Sequence, residues 1–367
     1  MNECVYEARI FREAGSLIKH GYKVRIIALK KKSLPSFEII NNIPVIRIYL
    51  FTECFQKKFL LHYLRWLEFI WKVVLRFREA EIYHCNDIKT LPIGVIIKRF
   101  FNPKAKIVYD AREYEIERNY VKGIRRFLRK AIEKACIKYA DEVITVSGSI
   151  AEEYKRLYKI RNVKVILNTP PLQHPSRHKD LLRKELNIQR NQLIFLYQGV
   201  LQVHRGIEML IETFSSLPSK CTLVLMGFGD LEDFIKKASR QKNNIFFKPA
   251  VSPDQLLEYT SSADYALLLT SPDCLNHYYS LPNKLFEYIM AEVPIIASNL
   301  YEVRSIIEKY KIGIVMKEYS QKGLKEAIEK ILSIDKNELQ KNFAEVKQKY
   351  NWENEEKKLL KVYEELI

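Results

Sequence analysis

The six cysteines of this 367-residue chain (Cys4, Cys54, Cys85, Cys136, Cys221 and Cys274) are scattered, and no two form a CxxC pair. That argues against a zinc site or a disulfide framework and for a reducing compartment. No uncharged run reaches about 18 residues, so no membrane span is expected. No signal-peptide pattern opens the sequence. Helix-turn-helix, zinc-finger and RNP-type phrases are lacking, so no nucleic-acid partner is expected. No His, Cys and Asp residues show metal-ligand spacing, and no nucleophile–base pair is evident. The expectation is chemistry without metal or cofactor.

Acidic residues are scarce in one half only. Residues 1–168 carry 34 Lys and Arg against 18 Asp and Glu, whereas residues 169–367 carry 27 against 26. Nearly all of the net charge of +17 therefore lies in the first half. A general basic bias would load both halves. A one-sided excess suits an acidic partner, such as a phospholipid surface, a lipid diphosphate or an acidic glycan.

The length suits two domains, and 47% hydrophobic content excludes a disordered or fibrous class. Strand candidates in the first half are 22–29, 43–50, 80–85, 105–110, 141–147 and 163–167. In the second they are 193–199, 221–227, 244–249, 265–270 and 293–298. Helical stretches separate them, which implies parallel sheets in two doubly wound α/β domains. The proline-rich link 168–180 sets the boundary, with domains expected over 1–168 and 169–349. The amphipathic segment 350–367 closes the chain. The first domain opens directly in helical pattern, so its first strand is expected to be missing.

Within 281–298, Leu281, Leu285, Tyr288 and Ile289 recur at helical spacing, and Pro294 leads into a short buried strand. Glu287 lies off that apolar face, either as a solvated carboxylate or as a partner for a ligand hydroxyl. Gly199 ends a strand, and the phrase from Gly199 to Gly206 opens a helix whose amides favour phosphate. Arg205 adds a fork suited to a diphosphate. Gly227 and Gly229 form a turn after the next strand, shaped for backbone conformation or for ligand room. His84, Asp87, Asp110 and Glu113 sit just beyond strands. Their carboxylates can orient an acceptor hydroxyl, stabilise charge or serve loop hydrogen bonding.

These phrases together resemble the retaining family-4 glycosyltransferases of GT-B fold. The stretch LPNKLFEYIMAEVPIIAS (281–298) is similar to that family's ribose-binding phrase, with Glu287 at the glutamate position. Arg205 matches the basic residue that holds the donor diphosphate. Val200 stands where a second basic residue is frequent, and Lys284 is placed to supply that charge. Tyr279 replaces the first glutamate of the family's pair; His277, Ser280 and the amides near Leu281 are placed to take over its contacts. YHCNDIKTLPIG (83–94) and VYDAREYEIER (108–118) resemble acceptor-side phrases, with Arg112 where a histidine is frequent. REAGSLIKHGYKV (12–24) resembles a helix that follows a strand and a glycine-containing loop in the family.

The resemblance implies two Rossmann-like domains facing across a cleft. The second would bind a nucleotide-diphospho-sugar through Gly199, Arg205, Gly206, Gly227, Gly229, Tyr279, Ser280, Leu281, Lys284 and Glu287. The first would bind a lipid-linked or polysaccharide acceptor near His84, Asp87, Asp110 and Glu113. Residues 350–367 would pack back on the first domain. Sugar transfer with retention follows, in the cytoplasm or peripherally on the inner membrane face. A nucleotide-sugar 2-epimerase and a non-catalytic relative share the architecture.

Two helical stretches bear on membrane contact. In 59–77, His62, Arg65, Glu68, Lys72 and Arg76 form one polar stripe among apolar residues, which suits either the headgroup plane or burial against the sheet. In 121–140, Arg125, Arg126, Arg129, Lys130, Lys134 and Lys138 add charge toward an anionic membrane surface.

Overall fold

The computed structural model describes all residues except 1, 2, 6, 32, 55–58, 120 and 176–179, and for residues 53, 54 and 59–62 the backbone alone. The chain divides into two compact units: Met1–Leu167 with Glu356–Ile367, and Asn168–Glu355. Residues 176–179 of the proline-rich link lie outside the described residues.

The first unit contains β1 (Ile26–Leu29), β2 (Phe37–Ile40), β3 (Ile43–Ile48), β4 (Ile82–Asn86), β5 (Lys106–Ala111), β6 (Glu142–Thr145) and β7 (Lys164–Val165). They form one sheet of order β1-β3-β2 and another of order β4-β5-β6-β7. All pairs are parallel except β2 with β3. Sequence pattern misses β2. Its four residues alternate between exposed and half-buried, so it carries no buried apolar run. The turn to β3 is Asn41-Asn42, both at positive φ (50° and 63°), the geometry that closes a two-residue hairpin.

Among the described residues no strand precedes the helix Ala8–Lys19. A doubly wound order would seat that strand between β1 and β4, where the two sheets part. Leu359, Val362, Tyr363 and Leu366 of the last helix, Trp352–Glu364, and its following residues are buried. Tyr363 meets His84 Nδ1 through its hydroxyl at 2.8 Å, and Lys164 pairs with Glu365 at 2.9 Å.

The second unit is one parallel sheet of order β10-β9-β8-β11-β12-β13. Its strands are β8 (Leu193–Val200), β9 (Cys221–Phe228), β10 (Ile245–Pro249), β11 (Tyr265–Leu268), β12 (Ile295–Ala297) and β13 (Gly313–Val315). Continuous apolar runs such as Phe195–Tyr197 and Leu223–Met226 are buried, as a parallel sheet covered on both faces requires. β8 and β11 are neighbours, while the strands next to them in sequence, β9 and β12, lie on opposite sides. The carboxyl ends of β8 and β11 therefore flank a topological switch point, where open α/β sheets bind ligands.

Candidate functional site

The loops that leave β8 and β11 carry most of the polar groups picked from the second half. Gly199 adopts φ +117°, a region that favours glycine. A Cβ there would lie 3.3 Å from Lys284 Nζ, so the ammonium sits against this stretch of backbone. The same Nζ lies 4.0 Å from the centre of the Tyr197 ring. Burial drives the Lys284 pKa down to about 7, with Arg205 repelling in the same direction and Glu287 only partly opposing. Lys284 and Arg205 thus form a positive pair whose mutual cost an anion would relieve.

Gly206 caps the helix Ile207–Phe214 without a side-chain hydrogen bond to the first-turn amides. Its φ is +74°, and a Cβ would stand 2.8 Å from Leu269 Cβ, which ties this loop to the one leaving β11. Gly227 and Gly229 have a different reason. A Cβ on Gly227 would meet Gly199 O at 1.8 Å, and one on Gly229 would meet Leu201 O at 2.4 Å. The neighbouring strand's own backbone occupies the space these glycines leave.

Glu287 lies on the helix Asn283–Met290, whose Leu285, Tyr288 and Ile289 are buried, as is Leu281 before it. Gln198 Nε2 donates to Glu287 Oε2 at 2.7 Å, and Thr260 donates its hydroxyl to Gln198 Oε1 at 2.6 Å. The Gln198 backbone N–H donates to the Tyr288 hydroxyl at 3.2 Å. Gln198 and Thr260 thus fix the carboxylate. The sequence pattern missed both, although Gln198 directly precedes Gly199. Tyr279 ends a short helix, Leu275–Tyr279, and meets the Tyr301 ring edge-on. Ser280 donates its hydroxyl to His277 O at 3.1 Å.

Groups that show no metal-ligand spacing in the sequence come together in the fold. His, Cys and Asp residues do converge, because a bend after β11 folds Asp273 and Cys274 onto His277, one helical turn further on. A second such group is Glu13, His84 and Asp110 in the first unit.

There, Asp110 is fully buried, and Arg9 donates to both its oxygens at 2.9 and 3.0 Å. Burial pushes its pKa up, but Arg9 overrides this and holds it at about 2. Arg9 also pairs with buried Glu13 at 2.9 Å. His84 Nε2 lies 3.7 Å from Glu13 and 3.8 Å from Asp110. Asp87 adopts φ +70° beyond β4 and accepts from the Lys89 N–H at 2.6 Å. Glu113 pairs with Arg118 at 2.8 Å, and Arg112 with Glu7 at 2.8 Å. Glu115 escaped the sequence reading. Burial pushes its carboxyl up to about 7, opposed by Arg118, with Asp87 and Glu113 raising it further. Arg129 donates to it at 2.7 Å.

The helix Phe59–Arg76 buries Phe69, Ile70, Val73 and Val74, and its polar stripe flanks that face, with Arg65, Glu68 and Lys72 half-buried and Arg76 exposed. Glu68 accepts from the Phe51 and Thr52 N–H groups at 2.8 and 3.0 Å, and Lys72 reaches Tyr49 O at 3.0 Å. His62 of that stripe lies outside the described side chains. A second apolar face, Leu64, Leu67, Trp71 and Leu75, points away from the buried one and is 49, 54, 60 and 46% exposed. On the helix Gly123–Ile137, Ile124 and Phe127 are 71 and 70% exposed beside exposed Arg125 and Arg126. The helix Leu91–Phe100 packs against both.

Comparison with known proteins places the chain. The glycosyltransferase family 4 description matches residues 7–170, and glycosyl transferases group 1 matches residues 178–350. The chain belongs to the family-4 glycosyltransferases of GT-B fold. It is 24% identical over 374 aligned residues to an uncharacterised glycosyltransferase of Methanocaldococcus jannaschii, covering 95% of this chain and 91% of that one. It is 23% identical to TuaC of Bacillus subtilis, a glycosyltransferase named for teichuronic acid biosynthesis, covering 84% of this chain and 77% of TuaC. Anabaena HepE, solved with UDP and glucose, superposes with a TM-score of 0.69 at 16% identity, covering 88% of this chain and 87% of HepE. Among the described residues no helix is long and apolar enough to cross a membrane.

Proposed function

We propose that this glycosyltransferase moves a sugar, with retention, from a nucleotide-diphospho-sugar to a lipid-linked or polysaccharide acceptor at an anionic membrane surface. The observation that carries the donor reading is Lys284. Its ammonium is desolvated against Gly199, beside Arg205 and the uncapped end of the helix Ile207–Phe214. A permanent arginine charge, a lysine that an anion would drive to its charged form and a free helix end together suit a diphosphate. HepE, solved with UDP and glucose, supports the same ligand class. Glu287, held by Gln198, is assigned to the nucleotide ribose. In the reaction the anomeric C–O bond to the diphosphate breaks, the leaving oxygen takes the electron pair, and the acceptor oxygen bonds to the anomeric carbon while its hydroxyl proton passes to the departing diphosphate. Arg205, Lys284 and the helix amides accommodate that charge, so the scheme calls on no metal. His84, Asp87, Asp110 and Glu113 are assigned to the acceptor side, where Asp110 acts by positioning, through Arg9.

Two features support membrane contact: an apolar helix face turned outward, and exposed Ile124 and Phe127 among arginines. Rings and aliphatic chains enter the headgroup boundary while basic residues add about 1 kcal/mol each near anionic lipid. The name of TuaC, given for teichuronic acid biosynthesis, supports an acidic glycan as product class.

The test has two parts. UDP-, GDP- and ADP-sugars are screened for thermal stabilisation, then for acceptor-dependent release of nucleoside diphosphate with chelator present. Stabilisation with no acceptor-dependent release, or an epimerised nucleotide-sugar as sole product, refutes the transferase assignment. Sedimentation with vesicles follows: binding rises with anionic lipid, falls with salt, and weakens in Trp71→Ser and Phe127→Ser. Absence of binding at low salt refutes the membrane assignment.

A further inference from the structure

We propose that the two loops at the switch point of the second unit bind a transition-metal ion of the zinc type through Asp273, Cys274, His277 and His204. Donor atoms of Asp273, Cys274 and His277 all lie within 4.8 Å of one another. Nδ1 of His277 is 2.9 Å from one Asp273 oxygen, and Nδ1 of His204 is 2.6 Å from the other. The Ser271 N–H donates to His204 O at 3.0 Å, which pins the loop leaving β8 to the loop leaving β11. Three of the four ligands come from a five-residue stretch; His204 joins from across the switch point, held at φ +67°.

The donor set selects the ion. A thiolate, two imidazoles and a carboxylate form the borderline-soft, four-ligand set that suits zinc, whereas magnesium and calcium take oxygen ligands. Thiolate and carboxylate together balance the charge of a divalent ion. Binding replaces the Cys274 thiol proton, which is released, while each neutral imidazole that ligates through Nδ1 carries its one proton on Nε2. Partial exposure of His204 and Asp273 leaves an entry path.

The site is separate from the leaving-group charges, which stay with Arg205 and Lys284. Its consequence is mechanical. His204 adjoins Arg205, and the short helix that carries His277 ends in Tyr279. An occupied site fixes both loops relative to each other.

The full chain, stripped with chelator and exchanged into metal-free buffer, is titrated with cobalt(II) alone. One equivalent is expected to bind with a thiolate-to-cobalt charge-transfer band, which one equivalent of zinc removes. Cys274→Ser should abolish that band. His277→Ala should weaken zinc binding at least about tenfold, a loss no smaller than outer-shell changes cause at metal sites. Circular dichroism melts of the metal-free variants should match that of the metal-free parent, showing that the fold survives. A titration with no saturable band overturns the proposal. So does a band that persists in Cys274→Ser, which would assign the thiolate to another cysteine.

Discussion

Binding of UDP should take up a proton at Lys284. The lysine titrates near 7 in the free protein, against an ordinary value of about 10.5. At pH 8 the free side chain is thus about nine-tenths neutral by its titration curve. A diphosphate placed beside it favours the ammonium and raises its pKa. UDP binding at pH 8 should therefore take up about 0.9 proton. Above about pH 7.5 the Kd should rise roughly tenfold per pH unit, until pH reaches the pKa of the complex. The window starts there because a phosphate group with a pKa near 6 titrates below it.

Calorimetry in two buffers of different ionisation enthalpy measures the proton number directly. Lys284→Arg keeps a charge at every pH used and should flatten the profile. Lys284→Gln should bind UDP weakly and without the slope. The same depressed pKa has a sign for stability. Between about 7 and 10.5 the unfolded chain binds more protons at this position than the folded one, so Lys284 makes the protein more stable as pH rises through that window. No proton uptake at pH 8, with a level Kd from pH 7.5 to 9, would refute the placement of Lys284 at the diphosphate.

Three further outcomes are expected. Glu287→Ala should weaken nucleotide-sugar binding by about 1.5–3 kcal/mol, roughly 10- to 150-fold, with the fold retained but the melt lowered because buried Gln198 loses its acceptor; equal affinity would remove Glu287 from the site. Gly227→Ala, whose Cβ would meet Gly199 O at 1.8 Å, should cost more than roughly 3 kcal/mol and lower the melting temperature by at least about 6 °C; an unchanged melt contradicts the β8–β9 register. Asp110→Ala removes one of the two carboxylates that pair with buried Arg9 and should destabilise the protein by up to about 3–5 kcal/mol in denaturant titration, whereas a purely catalytic carboxylate would leave stability unchanged.

Sequence pattern was most informative where one element decided the outcome. The helix Asn283–Met290 follows its 3–4 spacing, and the second-unit strands up to β12 follow their apolar runs. Three-residue β13 was too short to register. The site was legible as residue types, but not as partnerships. Gln198 and Glu287 are 89 positions apart, and Arg9 and Asp110 are 101 apart. No local pattern encodes such pairs. Gly227 shows the opposite limit: a glycine at a strand end suits ligand room and strand approach alike, and only the register of β8 with β9 separates them. The polar stripe of Phe59–Arg76 marked two faces, but its periodicity could not say which one faces out. The burial of Phe69, Ile70, Val73 and Val74 decides that.

Under the proposed function, the uneven charge of the chain matches two different anions. A nucleoside diphosphate is small and carries its charge in one place. A few desolvated cations recognise it, because attraction strengthens as effective dielectric falls. The second unit needs no large net charge for this, only Lys284 and Arg205 held where water is scarce. A membrane surface is wide, wet and screened beyond about 10 Å in salt, so each exposed cation contributes little and many are needed. The first half's 34 basic residues against 18 acidic ones match that requirement. The two strategies also respond differently to salt. Vesicle binding should fall steeply with ionic strength, while UDP affinity, resting on partly buried charges, should fall far less. Equal salt dependence of the two would mean that the diphosphate contacts are solvent-exposed, contrary to the half-buried placement of Lys284 against Gly199 and the Tyr197 ring.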